Sequence, residues 1–243
     1  MKKLLLLLLT LISISSFSQN EDSVISSPDN THIYYGIGAA GQNFAGIGSR
    51  IALRPEYEAL RKTEASLSIG LTREINSLMV DYNLSFGSSL SGDRERKSSS
   101  IISFGYSFTL GVNLCRNYSP RHRIKLWPFA GIGIQTFKVA LNKDLAAVPF
   151  DSVLQSTNWQ QRTAPLRFSN TFFTYKTGVA IDFVSKHNKR SAYGLRAGYI
   201  GSFKSKDWRI NEEQVLANAP TDKLSRWFAT LQVTGIFKKR NKS

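Results

Sequence analysis

The sequence ISFGYSFTLGVNL, from Ile102 to Leu114, alternates strictly between apolar residues and small or polar ones. Successive side chains of a β-strand point to opposite faces, so this stretch has one apolar face and one polar face. Seven apolar residues at every second position do not fit the 3.6-residue period of a helix. The stretch is therefore predicted to form a long strand whose polar face carries Gly, Ser, Thr and Asn.

The same alternation returns over most of the chain. Within 124–139 the apolar positions change phase near Gln135 and Thr136, which predicts a β-bulge at that point. The repeated pattern predicts an all-β, antiparallel protein. The other alternating segments are 65–72, 78–87, 173–183, 193–203 and 226–237.

The composition of the polar face separates two kinds of all-β fold. In a soluble β-sandwich that face is the solvent surface and is commonly rich in Lys and Glu, whereas here Gly, Ser, Thr and Asn dominate it. Small polar residues suit the crowded interior of a small transmembrane barrel, whose apolar face lies outside. We therefore predict a single up-and-down transmembrane β-barrel. Aromatic residues near the predicted strand ends are typical of its two interfacial girdles: Tyr34, Tyr35, Trp127, Phe172, Phe173 and Trp227.

The first residues have the pattern of an export signal. Lys2 and Lys3 precede an apolar run that starts at Leu4, and the small residues Ser16 and Ser18 fit a cleavage site. We predict a signal peptide over 1–18 and one barrel domain over 19–243, since about 225 residues suit a single all-β domain. Export of a barrel predicts location in the outer membrane. The single cysteine, Cys115, excludes a disulfide framework and is interpreted as a small apolar residue near a strand end.

Segment lengths predict the direction of the strands, because outer-membrane barrels have short periplasmic turns and longer outer loops. The short segments 115–123 and 186–190 are assigned to the periplasm, and 88–97, 142–169 and 204–223 to the outer side. Seven clear strands follow, and an eighth is expected to rise between Ile33 and Leu53. Eight strands are predicted, with ten as the alternative if Gly41-Gln42-Asn43 splits that first segment. A short helix is expected within 211–219.

The net charge of +15 raises the question of a nucleic-acid partner. Export argues against one, and much of the excess lies in short runs between the alternating segments, as at 121–123, 186–190 and 238–240. Basic turns and tails near anionic lipid head groups explain these runs. The expected partners are therefore outer-membrane lipid and lipopolysaccharide, and not nucleic acid.

At this point the chain resembles the small outer-membrane β-barrels of Gram-negative bacteria, the OmpX-like and OmpW-like group. The resemblance rests on the leader ending Ser16-Phe17-Ser18-Gln19, on the repeated alternating strands and on the closing segment from Phe228 to Phe237. It implies folding by the barrel-assembly machinery. Such barrels often finish on a terminal aromatic residue, whereas here Phe237 is followed by six further residues.

Candidate sites are few. His32, His122 and His187 all fall at the predicted periplasmic end without a nucleophile motif, and no metal-ligand spacing is present, so no catalytic, cofactor or metal site is predicted. Charged residues at inward positions form the first candidate set, either as a salt-bridged plug or as a selective polar path. That lumen set is Asp81, Lys125, Lys176, Asp182 and Arg196. The second set, for contacts through the outer loops, is Trp159, Arg162, Trp208 and Arg209.

Two functions are consistent with these features, and a third, a lipid-modifying enzyme, would need a polar catalytic cluster near the outer leaflet that the sequence does not show. The first is a non-enzymatic outer-membrane barrel with a structural or surface-interaction role, whose outer loops contact a surface partner of unidentified kind. The alternative is a small passive channel for a small polar or hydrophobic solute. A filled interior favours the first, and a continuous water path past Asp182 and Arg196 favours the second.

Overall fold

The computed structural model describes residues 30–75, 77–92, 97–115, 124–143, 165–184, 191–211 and 214–237. The predicted signal peptide lies outside these ranges and stays a prediction. The described elements are β1 (Asn30–Gly41), α1 (Ala45–Ala52), β2 (Thr63–Ile75), β3 (Leu78–Gly92), β4 (Ser98–Val112), β5 (Ile124–Asn142), β6 (Leu166–Val184), β7 (Ser191–Ser205), β8 (Arg209–Ile210), β9 (Gln214–Val215) and β10 (Ser225–Phe237).

Eight long antiparallel strands close into a barrel. Each of β1 to β7 pairs with its neighbour in sequence, and β10 lies between β1 and β7. Pairing of β5 with β6 completes the ring. The prediction of eight strands is confirmed, since β8 and β9 form only a short hairpin beside β6. We call the end where 42–62, 93–97, 143–165 and 206–224 connect strands the loop end, and the opposite end the turn end.

The outer wall of the barrel is apolar. Leu67, Phe104 and Leu231 are among the many large apolar side chains that point away from the interior and are exposed. Neighbouring strands pack aromatic rings on this surface, with ring centroids 5.1 Å apart for Tyr82 and Phe108. Alternation therefore places the apolar face outside, as a lipid-facing wall requires. No helix in the described part of the chain is long and apolar enough to span a bilayer.

The segment after Gly41 is not the strand that the sequence predicted. Residues Ala45–Ala52 form helix α1, and Ile47 and Ile51 face the protein interior. Residues four apart lie on the same face of a helix, and they are also separated by an even number of residues. The apolar odd positions 47 and 51 therefore fit both periods, and the strand interpretation was wrong.

The predicted bulge near Gln135 is also absent. Strand β5 pairs with β4 and β6 in a continuous register through that point. Phe137 and Val139 point inward together with Gln135, because the interior itself becomes apolar towards the loop end. The irregularity observed lies between β6 and β7, where Thr174 pairs with Ser202 and Phe203 is left out of the register.

Other expectations need correction at the loop end and in the aromatic girdles. Strand β3 extends to Gly92, so the first half of the predicted loop, 88–92, is strand. Within 211–219 the described residues include the second strand of a hairpin, β9, and no helix. Three of the aromatic residues assigned to the girdles are fully buried inside the barrel: Tyr34, Trp127 and Phe172.

Helix α1 closes the loop end of the barrel over an aromatic cluster. The Phe44 ring centroid lies 4.9 Å from that of Phe137 and 5.8 Å from that of Trp208. Such ring pairs contribute about 0.5–1.5 kcal/mol each beyond their burial. We call this cluster the loop-end core; its residues are Phe44, Ile47, Ile51, Phe137, Phe172 and Trp208, all buried.

A single carboxylate joins α1 to the segment that precedes β10, the neighbour of β1 in the ring. Asp222 accepts hydrogen bonds from the backbone N–H groups of Gly46 and Ile47, at 2.6 and 3.0 Å, and from the Trp208 indole N–H at 2.9 Å. A negative group at a helix N-terminus satisfies donors that have no partner within the helix. Gly46 allows the close approach, since a Cβ there would lie 2.8 Å from Asp222 Oδ1.

Replacing Asp222 tests the attachment of α1. We expect Asp222→Ala to destabilise the loop end by about 1–2 kcal/mol, since a helix cap is lost, and to leave the buried Trp208 N–H without an acceptor. Limited trypsin digestion should then cut faster within 50–62, while the folded barrel still migrates faster than the heated one in gels. Asp207→Ala, at an exposed position, is the control. Equal cleavage rates for both variants would contradict the role of Asp222.

Candidate functional site

The interior of the barrel is lined by every second residue of each long strand. Three of the five charged residues predicted to face the lumen are buried there: Asp81, Lys176 and Arg196. Lys125 and Asp182 are also at inward positions but are partly exposed near the turn end. The structure brings Asp81 and Arg196 into direct contact, whereas Lys125 forms its ion pair with Glu74, a residue outside the predicted set.

The central layer is an ion pair surrounded by hydroxyl and amide groups. Arg196 Nη1 lies 2.8 Å from Asp81 Oδ2, and both side chains are almost fully buried. Asp81 also accepts hydrogen bonds from Thr72 at 2.7 Å and from Tyr34 at 3.2 Å. Asn83 donates to the Tyr34 hydroxyl at 2.8 Å. Because Oδ2 is contacted by Arg196, Tyr34 and Thr109 and Oδ1 by Thr72, the buried charge of Asp81 is well compensated.

Tyr34 contacts both members of this ion pair. The guanidinium carbon of Arg196 lies 4.3 Å from the Tyr34 ring centroid, and the Tyr34 hydroxyl accepts a hydrogen bond from Arg196 Nη1 at 3.0 Å. Gly70 faces the ring, and a Cβ at that position would lie 2.2 Å from Tyr34 Cζ. A glycine in β2 is therefore required where the ring crosses the strand. Sequence analysis missed Tyr34 because it assigned this residue to the outer surface.

A second ion pair lies nearer the loop end. Arg226 Nη2 contacts Glu64 Oε1, which also accepts a hydrogen bond from Ser103 at 2.7 Å. Arg226 Nη1 donates to Gln135 Oε1 at 3.2 Å, so residues from β2, β4, β5 and β10 meet across the lumen. Sequence analysis placed Glu64 and Arg226 on polar faces without selecting them. Their place in the alternation of odd and even positions indicated that they face the lumen, but their pairing depends on the register between distant strands.

The turn end carries a third charged group. Lys125 Nζ lies 2.6 Å from Glu74 Oε2, and His32 Nε2 lies 3.5 Å from Glu74 Oε1. His32 therefore faces a carboxylate inside the barrel and not a nucleophile. His122 and His187 lie outside the described residues. In the described part of the chain no three His, Cys, Asp or Glu side chains are grouped as metal ligands.

These layers leave little open space along the described lumen. A cavity of about 30 Å³ remains between the two ion pairs, lined by Ser68, Lys176, Arg196 and Arg226 among others. That volume holds a water molecule or a particle of similar size. The loop-end core closes the path above it. The described interior therefore matches a filled barrel and not a continuous water path past Arg196.

The four residues predicted to make loop contacts lie in different environments or outside the described residues. Trp159 and Arg162 lie outside the described residues. Trp208 is fully buried in the loop-end core, so its assignment as a surface contact is wrong. Its indole needs an apolar pocket and the Asp222 acceptor, which the sequence could not reveal. Arg209 is exposed on β8.

Arg209 borders a groove on the outside of the barrel near the loop end. The groove has a volume of about 200 Å³, and Lys138, Lys206 and Arg209 give it a positive lining. Thr136 and Thr171 contribute hydroxyl groups 3.1 Å apart on the adjacent strands. We call this the basic groove. Asp207 is the acidic residue among those that line it.

The central ion pair can be tested by removing one or both charges. We expect Arg196→Met to lower the free energy of unfolding by about 3–5 kcal/mol, because Asp81 is left buried and unpaired. Asp81→Asn combined with Arg196→Met should recover part of that loss, since no unpaired charge remains. Urea titration of the barrel in detergent micelles, followed by tryptophan fluorescence, measures both. Arg209→Met is the exposed control, and equal losses in the single and double variants would contradict the pairing.

No family model matches the sequence, and no curated protein matches it. Among solved structures, the chain is similar to Ail, the attachment invasion locus protein of Yersinia pestis, at 11% identity and a TM-score of 0.47, covering 86% of this chain and 99% of Ail. It is also similar to the outer membrane protein OprG from Pseudomonas aeruginosa, at 12% identity and a TM-score of 0.48, covering 87% and 97%.

The outer membrane protease OmpT from Escherichia coli is a more distant neighbour. It shares 6% identity with this chain at a TM-score of 0.37, covering 89% of this chain and 99% of OmpT. Identities this low carry no function across. The closed ring of eight antiparallel strands and its apolar outer wall define the architecture. The chain therefore forms the closed eight-stranded barrel with an apolar outer wall that its sequence predicts.

Proposed function

We propose that the protein is a non-conducting, non-enzymatic barrel of the outer membrane that anchors its loops at the surface. The observation that carries this proposal is the filled interior. Two buried ion pairs cross the lumen at different heights, and the loop-end core covers them. A barrel of eight strands is just wide enough for its own side chains to fill. Stability and presentation of the loop end, and not passage of solute, fit such an interior.

The polar groups of the lumen also support a non-enzymatic role. In the described part of the lumen, Asp81 and Glu64 are both paired with an arginine, and His32 lies beside Glu74. A general base needs access to a substrate, and none of these groups opens onto a cleft. The larger groove is basic and lies on the outer wall.

The basic groove indicates the surface partner. It lies where strands β5 and β6 leave the apolar wall, next to the hairpin of β8 and β9. Lys206 and Arg209 are exposed there, and cationic side chains at a membrane surface attract anionic head groups by about 1 kcal/mol each. We propose that the groove binds phosphate groups of outer-membrane lipid, including lipopolysaccharide. Folding by the barrel-assembly machinery belongs to the same proposal.

Conductance measurements distinguish a non-conducting barrel from a small passive channel. We expect the refolded mature protein to show no discrete openings in planar bilayers, since Arg196 and Arg226 cross the lumen. The variant Phe44→Ala with Trp208→Ala should stay silent as well, because both ion pairs remain below the opened loop end. A large open porin in the same bilayers is the control for detection. Stable openings of the unaltered protein would overturn the proposal in favour of a small passive channel.

Lipid binding by the basic groove has its own test. Adding lipid A or phosphatidylglycerol to the protein in neutral detergent should raise its thermal unfolding midpoint, whereas phosphatidylcholine should not. We expect Lys206→Gln with Arg209→Gln to lose most of that increase, because two cations that line the groove are removed. Lys223→Gln, an exposed position outside the groove, is the control. Loss of the same size in the control would show that net charge, and not the groove, attracts the lipid.

A further inference from the structure

The small cavity between the two ion pairs has an unbalanced set of charges around it. Lys176, Arg196 and Arg226 all line it. Arg196 is paired with Asp81 and Arg226 with Glu64, so each of these carboxylates already has a cationic partner. One positive charge, that of Lys176, remains at the cavity without a carboxylate in contact.

Lys176 is buried and its ammonium group faces aromatic rings. Its Nζ lies 4.8 Å from the ring centroid of Phe228 and 6.0 Å from that of Phe129. Asp81 attracts this ammonium group through space, although the carboxylate of Asp81 is itself in contact with Arg196. Asp182 is on the same strand, but six residues along a strand correspond to about 20 Å. Asp182 interacts electrostatically with Arg196, and no described carboxylate lines the cavity itself.

Other polar atoms of the cavity wall also lack partners. The Ser68 hydroxyl is buried without a hydrogen bond, and so are Nε of Arg196 and Nε of Arg226. The Gln232 amide has an unpartnered oxygen and presents an N–H₂ group instead when it is rotated. Buried donors without acceptors cost about 1–3 kcal/mol each, so a ligand that accepts hydrogen bonds would be stabilised here.

We propose that this cavity binds one small monovalent anion of the halide class. An anion accepts hydrogen bonds from the Lys176 ammonium and the Ser68 hydroxyl and cancels the excess positive charge. The volume of about 30 Å³ admits a halide, which is only slightly larger than water, and excludes phosphate, sulfate and gluconate. In an interior of low dielectric constant a neutralising ion is held more strongly than at a surface.

Crystals of the protein refolded in sodium bromide provide the direct test. Anomalous diffraction at the bromine edge should show one peak in the cavity, within hydrogen-bonding distance of Lys176 Nζ. Protein refolded in sodium gluconate, which is too large to enter, is the comparison. Absence of a bromide peak in the cavity would show that only water occupies it and would overturn the proposal.

Stability measurements test the same site in solution. At constant ionic strength, exchange of gluconate for chloride should raise the unfolding midpoint of the unaltered protein until the site saturates. Lys176→Met should remove this dependence, while Lys204→Met, which lies on β7 and points outward, should retain it. Ser68→Ala keeps the charge and should raise the half-saturating chloride concentration about tenfold, since one donor to an ion is lost. An equal chloride dependence in the unaltered protein and in Lys176→Met would overturn the proposal.

Discussion

Closure of the sheet is the constraint on which the rest of the structure depends. Backbone groups in lipid must be paired within the protein, and the pairing of β5 with β6 leaves no open edge among the eight long strands. Closing only eight strands fixes a narrow lumen. The inward residues must then fill that lumen and satisfy one another, which is why charges such as Asp81 and Arg196 occur as contacting pairs.

The alternation of side chains made most of this architecture predictable. A strand with lipid on one side and a packed polar interior on the other has the simplest possible pattern, and 102–114 has it without exception. Prediction failed where the environment changed along the strand. Phe137 and Val139 are apolar and point inward because the loop end of the interior is an apolar core. In that region an apolar side chain therefore does not indicate the outer face of the barrel. In 45–52 two periods agreed on the same residues, and only the tertiary contact with the loop-end core selects the helix.

The alternation of odd and even positions along each strand placed the predicted lumen charges on the correct face. It could not show which of these charged residues would contact one another. Asp81 and Arg196 are 115 positions apart, and their contact depends on the stagger of every intervening strand pair. The pair of Glu64 and Arg226 was missed for the same reason. Tyr34 was misplaced because an aromatic residue near a strand end suits either a lipid interface or the barrel interior. Trp208 was assigned to loop contacts because the sequence carries no signal that its segment packs into the loop-end core.

The contact of Asp222 with α1 has a consequence for the order of assembly. The carboxylate immediately precedes β10, the last strand to be synthesised, whereas α1 follows the first. The helix can therefore acquire its cap only after the two ends of the chain have come together in the ring. Ordering of α1 then marks completion of the barrel. In a chain whose β10 has not yet docked, α1 would lack its cap and the loop end of the barrel would stay open.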